Sequence, residues 1–98
     1  MTVLWLTTAL HQLAKLLVDL EDYAGQQAVD NLQAKIDKKT RLLETQPRLY
    51  VKGWVKGSHE LVVTSNVVLV YRIQPKKKTV TIVRVLKPRM KRSATKKK

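Results

Sequence analysis

Pro47 divides the chain into two parts with different hydrophobic periodicities, and this division constrains the fold most. Before it, apolar residues recur at steps of three and four, which is the spacing of one face of an α-helix. After it, the apolar residues come in short runs rich in valine, a composition typical of β-strands. Because proline cannot continue a helix, we expect helical structure to end by about Thr45.

The part before Pro47 predicts one strand and two helices. Residues 3–6 are a short run of strand formers, and either Thr7 or Thr8 is suited to cap a helix that begins at about Ala9. Gly25 interrupts the helical pattern, which then resumes, so two antiparallel helices with a short joint are expected. The apolar positions on which this rests are Leu10, Leu13, Ala14, Leu17, Leu20 and Ala24, then Ala28, Val29, Leu32, Ile36 and Leu43.

The part after Pro47 predicts an antiparallel meander of three strands. The runs with strand composition are 60–64, 67–73 and 79–86. Ser65 and Asn66 suit a tight hairpin turn between the first two runs, and residues 75–78 suit a second connection. The middle strand is apolar on both faces, which predicts that it is buried on both sides.

Length and composition limit the chain to a few classes of protein. With 98 residues there is room for one domain and one modest core, which we place at 1–89, followed by a basic tail at 90–98 whose end is expected to be disordered. The chain has no cysteine, and His11 and His59 are far apart, so we expect no metal site and no cofactor. No uncharged apolar run is long enough for a membrane span, and we expect a cytoplasmic protein without a membrane partner.

The positive charge is concentrated in the second half of the chain. Fifteen of the 20 Lys and Arg residues lie from Arg48 onward, whereas Glu60 is the one acidic residue after Pro47. The net charge of +13 therefore belongs to that half, and it favours binding to polyanions or to an acidic protein.

The order and spacing of these segments resemble the RelE/ParE family of toxins from bacterial type II toxin–antitoxin systems. Val-Leu-Trp at 3–5 is similar to the family's first strand, and Gly-Ser-His-Glu-Leu-Val-Val at 57–63 to its Gly-Thr-Arg-Glu-Leu-Val pattern. Residues 68–73 and 80–86 are similar to its last two strands, so the resemblance covers 2–89. It implies an α+β fold with an N-terminal strand, an α-helical hairpin and a three-stranded antiparallel meander in one sheet.

The family contains ribosome-dependent mRNA endonucleases and inhibitors of DNA gyrase. RelE-like nucleases carry, on two of their strands, basic residues that stabilise a reacting phosphate. At the corresponding positions this chain has Glu60, Val62 and Val68. The nucleases' tyrosine and histidine near the carboxy terminus have no match at 87–90 either. The resemblance therefore favours the ParE-like branch, with a role in plasmid stabilisation and growth inhibition by gyrase binding. Two departures from the family pattern are His59 for its usual arginine and Lys87 for its usual histidine.

The residues expected to bind the target are basic or aromatic. Arg84 is expected on the open face of the sheet, although a surface pair with Glu60 is an equal alternative. Trp54 and Tyr50, among lysines, suit a stacking platform for nucleic acid, or else an anchor of a loop on the core. The expected contact residues are Arg84, Lys87, Arg89, Lys91 and Arg92, together with Lys52, Trp54 and Lys56.

Two alternative functions remain open at this point. A ribosome-dependent endonuclease would use Arg72, Arg84, Arg89 and His59, because an unperturbed histidine side chain can act as a base near neutral pH. The alternative for His59 is a surface or hydrogen-bonding residue without a catalytic role. A basic nucleic-acid-binding module without toxicity would use the same charge with no specific site. For a toxin, the family implies a cognate antitoxin in a hetero-oligomer, and the basic half suits an acidic antitoxin that lays a helix and an extended segment across the chain. The other partner would be DNA gyrase, or the ribosome and mRNA in the endonuclease alternative.

Overall fold

The computed structural model of the chain describes residues 1–47 and 57–87. These residues form an α+β fold in which one strand and two helices precede three further strands, as the sequence predicts. The elements are β1 (Thr2–Trp5), α1 (Thr7–Ala24), α2 (Gln26–Thr45), β2 (Ser58–Thr64), β3 (Val67–Gln74), a 3₁₀ turn (Pro75–Lys77) and β4 (Thr79–Leu86). Because 88–98 lie outside the described residues, a domain at 1–89 followed by a basic tail stays a prediction.

The two helices are joined at a single glycine. Gly25 has φ +89° and ψ 173°, a backbone conformation that side chains with a Cβ rarely adopt. Apart from Gly25 itself and its two chain neighbours, nothing lies within 4 Å of the position a Cβ would take there, so the backbone angle and not crowding requires glycine. The end of α2 at Thr45, two residues before Pro47, confirms the predicted boundary.

The start of α1 differs from the prediction. Thr7 and Thr8 are the first two residues of the helix, and neither caps it, because the N-cap position is Leu6 and no side chain bonds there. The backbone of Leu6 fixes this start: its N–H donates to the carbonyl of Ile82 at 2.9 Å, and its own carbonyl accepts from Leu10 N–H at 3.0 Å. The strand therefore ends and the helix begins at one residue, two positions earlier than the pattern of side chains indicates.

The four strands form one sheet in the order β1-β4-β3-β2. The pairs β2–β3 and β3–β4 are antiparallel, which confirms the meander. β1 pairs in parallel with the first half of β4, from Thr2 beside Thr79 to Trp5 beside Ile82. The helical hairpin between β1 and β2 provides the long connection that a parallel neighbour requires.

The main core lies between the helices and one face of the sheet. Leu69, Tyr71 and Ile82 are completely buried there, against Leu16 and Ile36 from the two helices. We call the opposite side of the sheet the outer face. All five residues of 67–71 are buried, so the prediction that the middle strand is buried on both sides is confirmed.

Both predicted connections between strands form turns. At the first hairpin the backbone N–H of Asn66 donates to Thr64 Oγ1 at 3.1 Å. At the second, the 3₁₀ turn ends on Lys78, whose φ of +54° is left-handed and whose N–H donates to the carbonyl of Pro75 at 3.1 Å. These turns hold β2, β3 and β4 in register with one another.

A β-bulge in β4 decides which side chains reach the outer face. Val70 pairs with Arg84, but the next residue of β3, Tyr71, pairs with Ile82, so Val83 is an additional residue in the strand. Ile82 and Val85 are buried, whereas Arg84 is exposed. The additional residue thus reverses the alternation and turns Arg84 away from the core.

Candidate target-binding face and partner groove

The outer face displays two arginines on neighbouring strands. Arg84 on β4 lies beside Val70 on β3, and Arg72 on β3 lies beside Thr81 on β4. Both arginines are exposed. Since residues two apart on a strand share a face, Val70 and Arg72 place both arginines on the same side of the sheet.

The described residues contain no ion pair between Arg84 and Glu60. Val70 pairs with Arg84 on one side and with Glu60 on the other, so the two charged residues are separated by a complete strand. Strands lie about 4.8 Å apart, which puts the two backbones roughly 10 Å from each other. The alternative in which Arg84 pairs with Glu60 across the sheet is not observed, because no ion pair joins these two side chains in the described residues.

Arg72 extends toward the beginning of β2. One of its terminal nitrogens, Nη1, lies 3.6 Å from the position that a Cβ on Gly57 would occupy. Gly57 has φ +85°, which a residue with a side chain rarely adopts. Arg72 is thus near the point where the chain enters the sheet, directly beside Ser58 in the pairing of β2 with β3.

His59 lies on the opposite side of the sheet from the two arginines. Its ring stacks on that of Tyr71, with ring centres 5.3 Å apart and planes inclined by 18°. Tyr71 belongs to the core under the helices, so His59 faces the helices as well. The structure therefore places Arg72 and Arg84 on one face of the sheet and His59 on the other.

Lys87 follows the last strand and is paired with α1. Its Nζ lies 3.8 Å from Asp19 Oδ2, and the side chains of both residues are about half exposed, at 47% and 49%. Lys15 approaches the same carboxylate oxygen at 4.0 Å. Of the residues expected to bind the target, Arg84 and Lys87 are described, whereas Lys52, Trp54, Lys56, Arg89, Lys91 and Arg92 lie outside the described residues, as does Tyr50.

Lys87 also borders a groove that was not expected from the sequence. The groove has a volume of about 510 Å³ and lies between the second half of α1, the first half of α2 and the β2–β3 turn. We call it the partner groove. Its apolar lining includes Leu16, Leu20, Tyr23, Leu32 and Val67, and its polar border includes Asp19, Asn31, Lys35, Asn66 and Lys87.

A signal for this groove exists in the sequence of α1. Leu16, Leu20 and Tyr23 follow one another at steps of four and three, and Tyr23 extends beyond the core the apolar surface that Leu16 and Leu20 share with it. The helix therefore carries a wider apolar surface than one core requires. Tyr23 is 90% exposed, which is unusual for a large aromatic side chain.

β2 is an edge strand of the sheet. Lys39 on α2 reaches this strand, and its Nζ donates to the carbonyl of Val62 at 3.1 Å. A lysine beside an edge strand opposes unspecific pairing with another chain.

The described residues contain neither a group of metal ligands nor a membrane-spanning helix. Over 1–47 and 57–87, no three His, Asp or Glu side chains are grouped as a metal ion would require. Neither helix in this part of the chain is long and apolar enough to span a membrane.

The fold and the sequence together place the chain in a class of proteins. Residues 3–92 match the family model for the ParE toxin of type II toxin–antitoxin systems, from parDE. This match covers most of the chain, which therefore belongs to the ParE toxin family. No curated protein sequence matches the chain significantly.

Solved structures of toxins share the fold at low sequence identity. A structure titled as the chromosomal ParDE system from P. aeruginosa superposes with a TM-score of 0.75 at 16% identity, over 89% of this chain and 95% of that one. The isolated E. coli RelE toxin gives 0.57 at 20% identity, over 88% and 82%. A RelBE2 toxin–antitoxin complex from Mycobacterium tuberculosis gives 0.51 at 23% identity, over 86% of each chain. The RelE/ParE fold implied by the sequence is confirmed.

Proposed function

We propose that this ParE-family toxin inhibits growth by binding DNA gyrase, without cleaving RNA. The observation that carries this proposal is the separation of the groups an endonuclease would need. His59 faces the helices, while Arg72 and Arg84 lie on the outer face. A general base and the cations that stabilise a phosphate must reach the same reacting atoms, and these three residues do not.

The composition of the outer face supports the same function. Glu60, Val62 and Val68 lie on that face, at the positions where nucleases of the family were expected to carry basic residues. A carboxylate and two valines cannot stabilise negative charge that develops on a phosphate. Arg84 and the basic residues that follow Lys87 in the sequence suit a binding surface for gyrase, which needs complementarity but no catalytic group.

The test compares gyrase and messenger RNA directly. The protein is induced without an antitoxin, and DNA supercoiling and DNA cleavage by purified gyrase are measured beside primer extension on cellular transcripts. We expect inhibited supercoiling and intact transcripts. Fragmented transcripts with normal gyrase would support the endonuclease instead. Harmless overproduction with salt-sensitive RNA binding would support a basic nucleic-acid-binding module.

Arg84 provides a variant of this test with a matched control. Arg84→Ala should lose most of the gyrase inhibition, because a central arginine of an interface often contributes 2 kcal/mol or more, which is roughly a thirtyfold change in affinity. Arg41→Ala removes an arginine that is equally charged and exposed but lies on α2, paired with Asp37 at 3.0 Å. It should inhibit gyrase as the parent does. If Arg84→Ala inhibited gyrase as strongly as Arg41→Ala, a role for the outer face in gyrase binding would be contradicted.

We further propose that the partner groove binds the helix of a cognate acidic antitoxin. The ParDE and RelBE2 structures with the same fold pair a toxin with an antitoxin. A groove of about 510 Å³ with an apolar floor suits the apolar side chains of an amphipathic helix, and lysines on its border favour acidic residues beside them.

Tyr23 allows this docking to be tested without disturbing the core. Because its side chain is 90% exposed, Tyr23→Ala should fold normally and weaken binding of a co-produced antitoxin by about tenfold. Val18→Ala is the matched control, since Val18 is an exposed apolar residue of the same helix that does not line the groove. Unchanged antitoxin affinity for Tyr23→Ala, measured by titration, would place the antitoxin elsewhere.

A further inference from the structure

Lys87 lies where the last strand meets the partner groove. It is the first residue after β4, it borders the groove, and its ammonium is one of the contacts between the end of the sheet and α1, through Asp19. The sequence continues from it into Arg89, Lys91 and Arg92, which the proposed function assigns to gyrase binding. Lys87 therefore belongs both to the partner groove and to the proposed gyrase-binding surface.

The ion pair that holds Lys87 is a weak one. The distance of 3.8 Å to Asp19 is close to the limit for an ion pair, and both side chains are half exposed. The same carboxylate oxygen is shared with Lys15 at 4.0 Å. Exposed pairs of this kind contribute about 0–1 kcal/mol, so a better acceptor can take the ammonium at little cost.

We propose that Lys87 is the residue with which the groove recognises the charge of its partner: a carboxylate on an acidic amphipathic helix takes the Lys87 ammonium from Asp19. This inference rests on the proposed binding of an antitoxin in the groove and adds the specific contact. The partner helix has apolar residues that face Leu20 and Val67 and an acidic residue beside them.

Lys35 offers a second cation on the other side of the groove. It is exposed on α2, and among the described residues no carboxylate pairs with it. Two lysines on the border and a single carboxylate, itself already shared by two lysines, make the groove complementary to acidic helices. A basic helix would be repelled.

The shared position of Lys87 has a consequence for regulation. A partner that holds Lys87 in the groove occupies the start of the basic segment, and the same lysine is then not available to gyrase. Antitoxin and gyrase binding therefore exclude each other at this residue through direct competition, without a conformational change elsewhere in the fold.

The experiment is a double-mutant cycle on Lys87 and Asp19, with purified antitoxin from the neighbouring reading frame as the probe. The variants are Lys87→Gln, Asp19→Asn and the double variant. Lys15→Gln is the matched control, because Lys15 contacts the same carboxylate but does not line the groove. Dissociation constants are measured at low and at high salt, after thermal melting has established that each variant is folded.

Lys87→Gln should weaken binding by about tenfold at low salt and by less at high salt, since an exposed pair is screened. Asp19→Asn should tighten binding roughly threefold, and this gain should disappear in the Lys87→Gln background. Lys15→Gln should bind as the parent does. Binding by Lys87→Gln within twofold of the parent, or an equal gain from Asp19→Asn in both backgrounds, would overturn the assignment.

The outcome for Tyr23→Ala separates this inference from the proposed function. If Tyr23→Ala weakens binding and Lys87→Gln does not, the antitoxin occupies the groove but its carboxylate does not bind Lys87. If neither variant changes binding, the groove itself is not the docking site.

Discussion

Replacing Tyr71 by phenylalanine tests the connection between the sheet and the end of the helical hairpin. Tyr71 is completely buried, and its hydroxyl donates a hydrogen bond of 2.7 Å to the carbonyl of Pro47. Phenylalanine keeps the ring and its stacking on His59, but it leaves the partly buried carbonyl without this donor. Loss of one partner from such a bond costs about 1–2 kcal/mol of unfolding free energy.

The expected decrease in Tm is large enough to measure by thermal unfolding. For a domain of this size, each kcal/mol lowers Tm by roughly 4–8 °C, so Tyr71→Phe should melt about 5–15 °C below the parent when followed by circular dichroism. Tyr23→Phe removes a hydroxyl from a side chain that is 90% exposed and should leave Tm unchanged. If Tyr71→Phe melted at the same temperature as Tyr23→Phe, the bond to Pro47 would not stabilise the fold.

Three further substitutions test the joint, the core and one contact between helix and sheet. Gly25→Ala should lower the unfolding free energy by about 1–3 kcal/mol in a denaturant titration, because the φ of +89° strains any side chain; an unchanged value would mean that the joint relaxes. Leu69→Ala should lower the unfolding free energy by about 2–5 kcal/mol in the same titration. Val62→Ala should lower it much less, because the Val62 side chain is 47% exposed, and equal losses would contradict the assigned faces of the sheet. Gln12→Ala removes the acceptor that lies 2.8 Å from the backbone nitrogen of Val85, so amide exchange at Val85 should accelerate; unchanged exchange would show that the bond gives no protection.

The elements were predictable because their signals are local. The three- and four-residue steps before Pro47 and the valine-rich runs after it identify every helix and strand of the described residues, with ends that differ by at most about two positions. The start of α1 was missed because it depends on Leu6, which bonds to Ile82 at a distance of 76 positions in the sequence. A pattern within one segment contains no information about such a partner.

The candidate sites were predictable only in part. Exposure of Arg84 on the outer face was expected and is found, while the relation of His59 to the arginines depends on strand pairing and was not accessible. The partner groove was missed because its lining comes from α1, α2 and the β2–β3 turn, which are distant in sequence. Lys87 was assigned to the target alone, although the structure also places it beside Asp19.

The sequence by itself determined the order of elements, the family and the position of the positive charge, because each of these depends on residue types and their local spacing. Only the tertiary structure decided which face each side chain occupies. Strict alternation from Val80 and Ile82 would turn Arg84 into the core, and the bulge at Val83 turns it outward. A bulge arises from the pairing of two whole strands, since every residue added to one of them reverses the faces of all that follow.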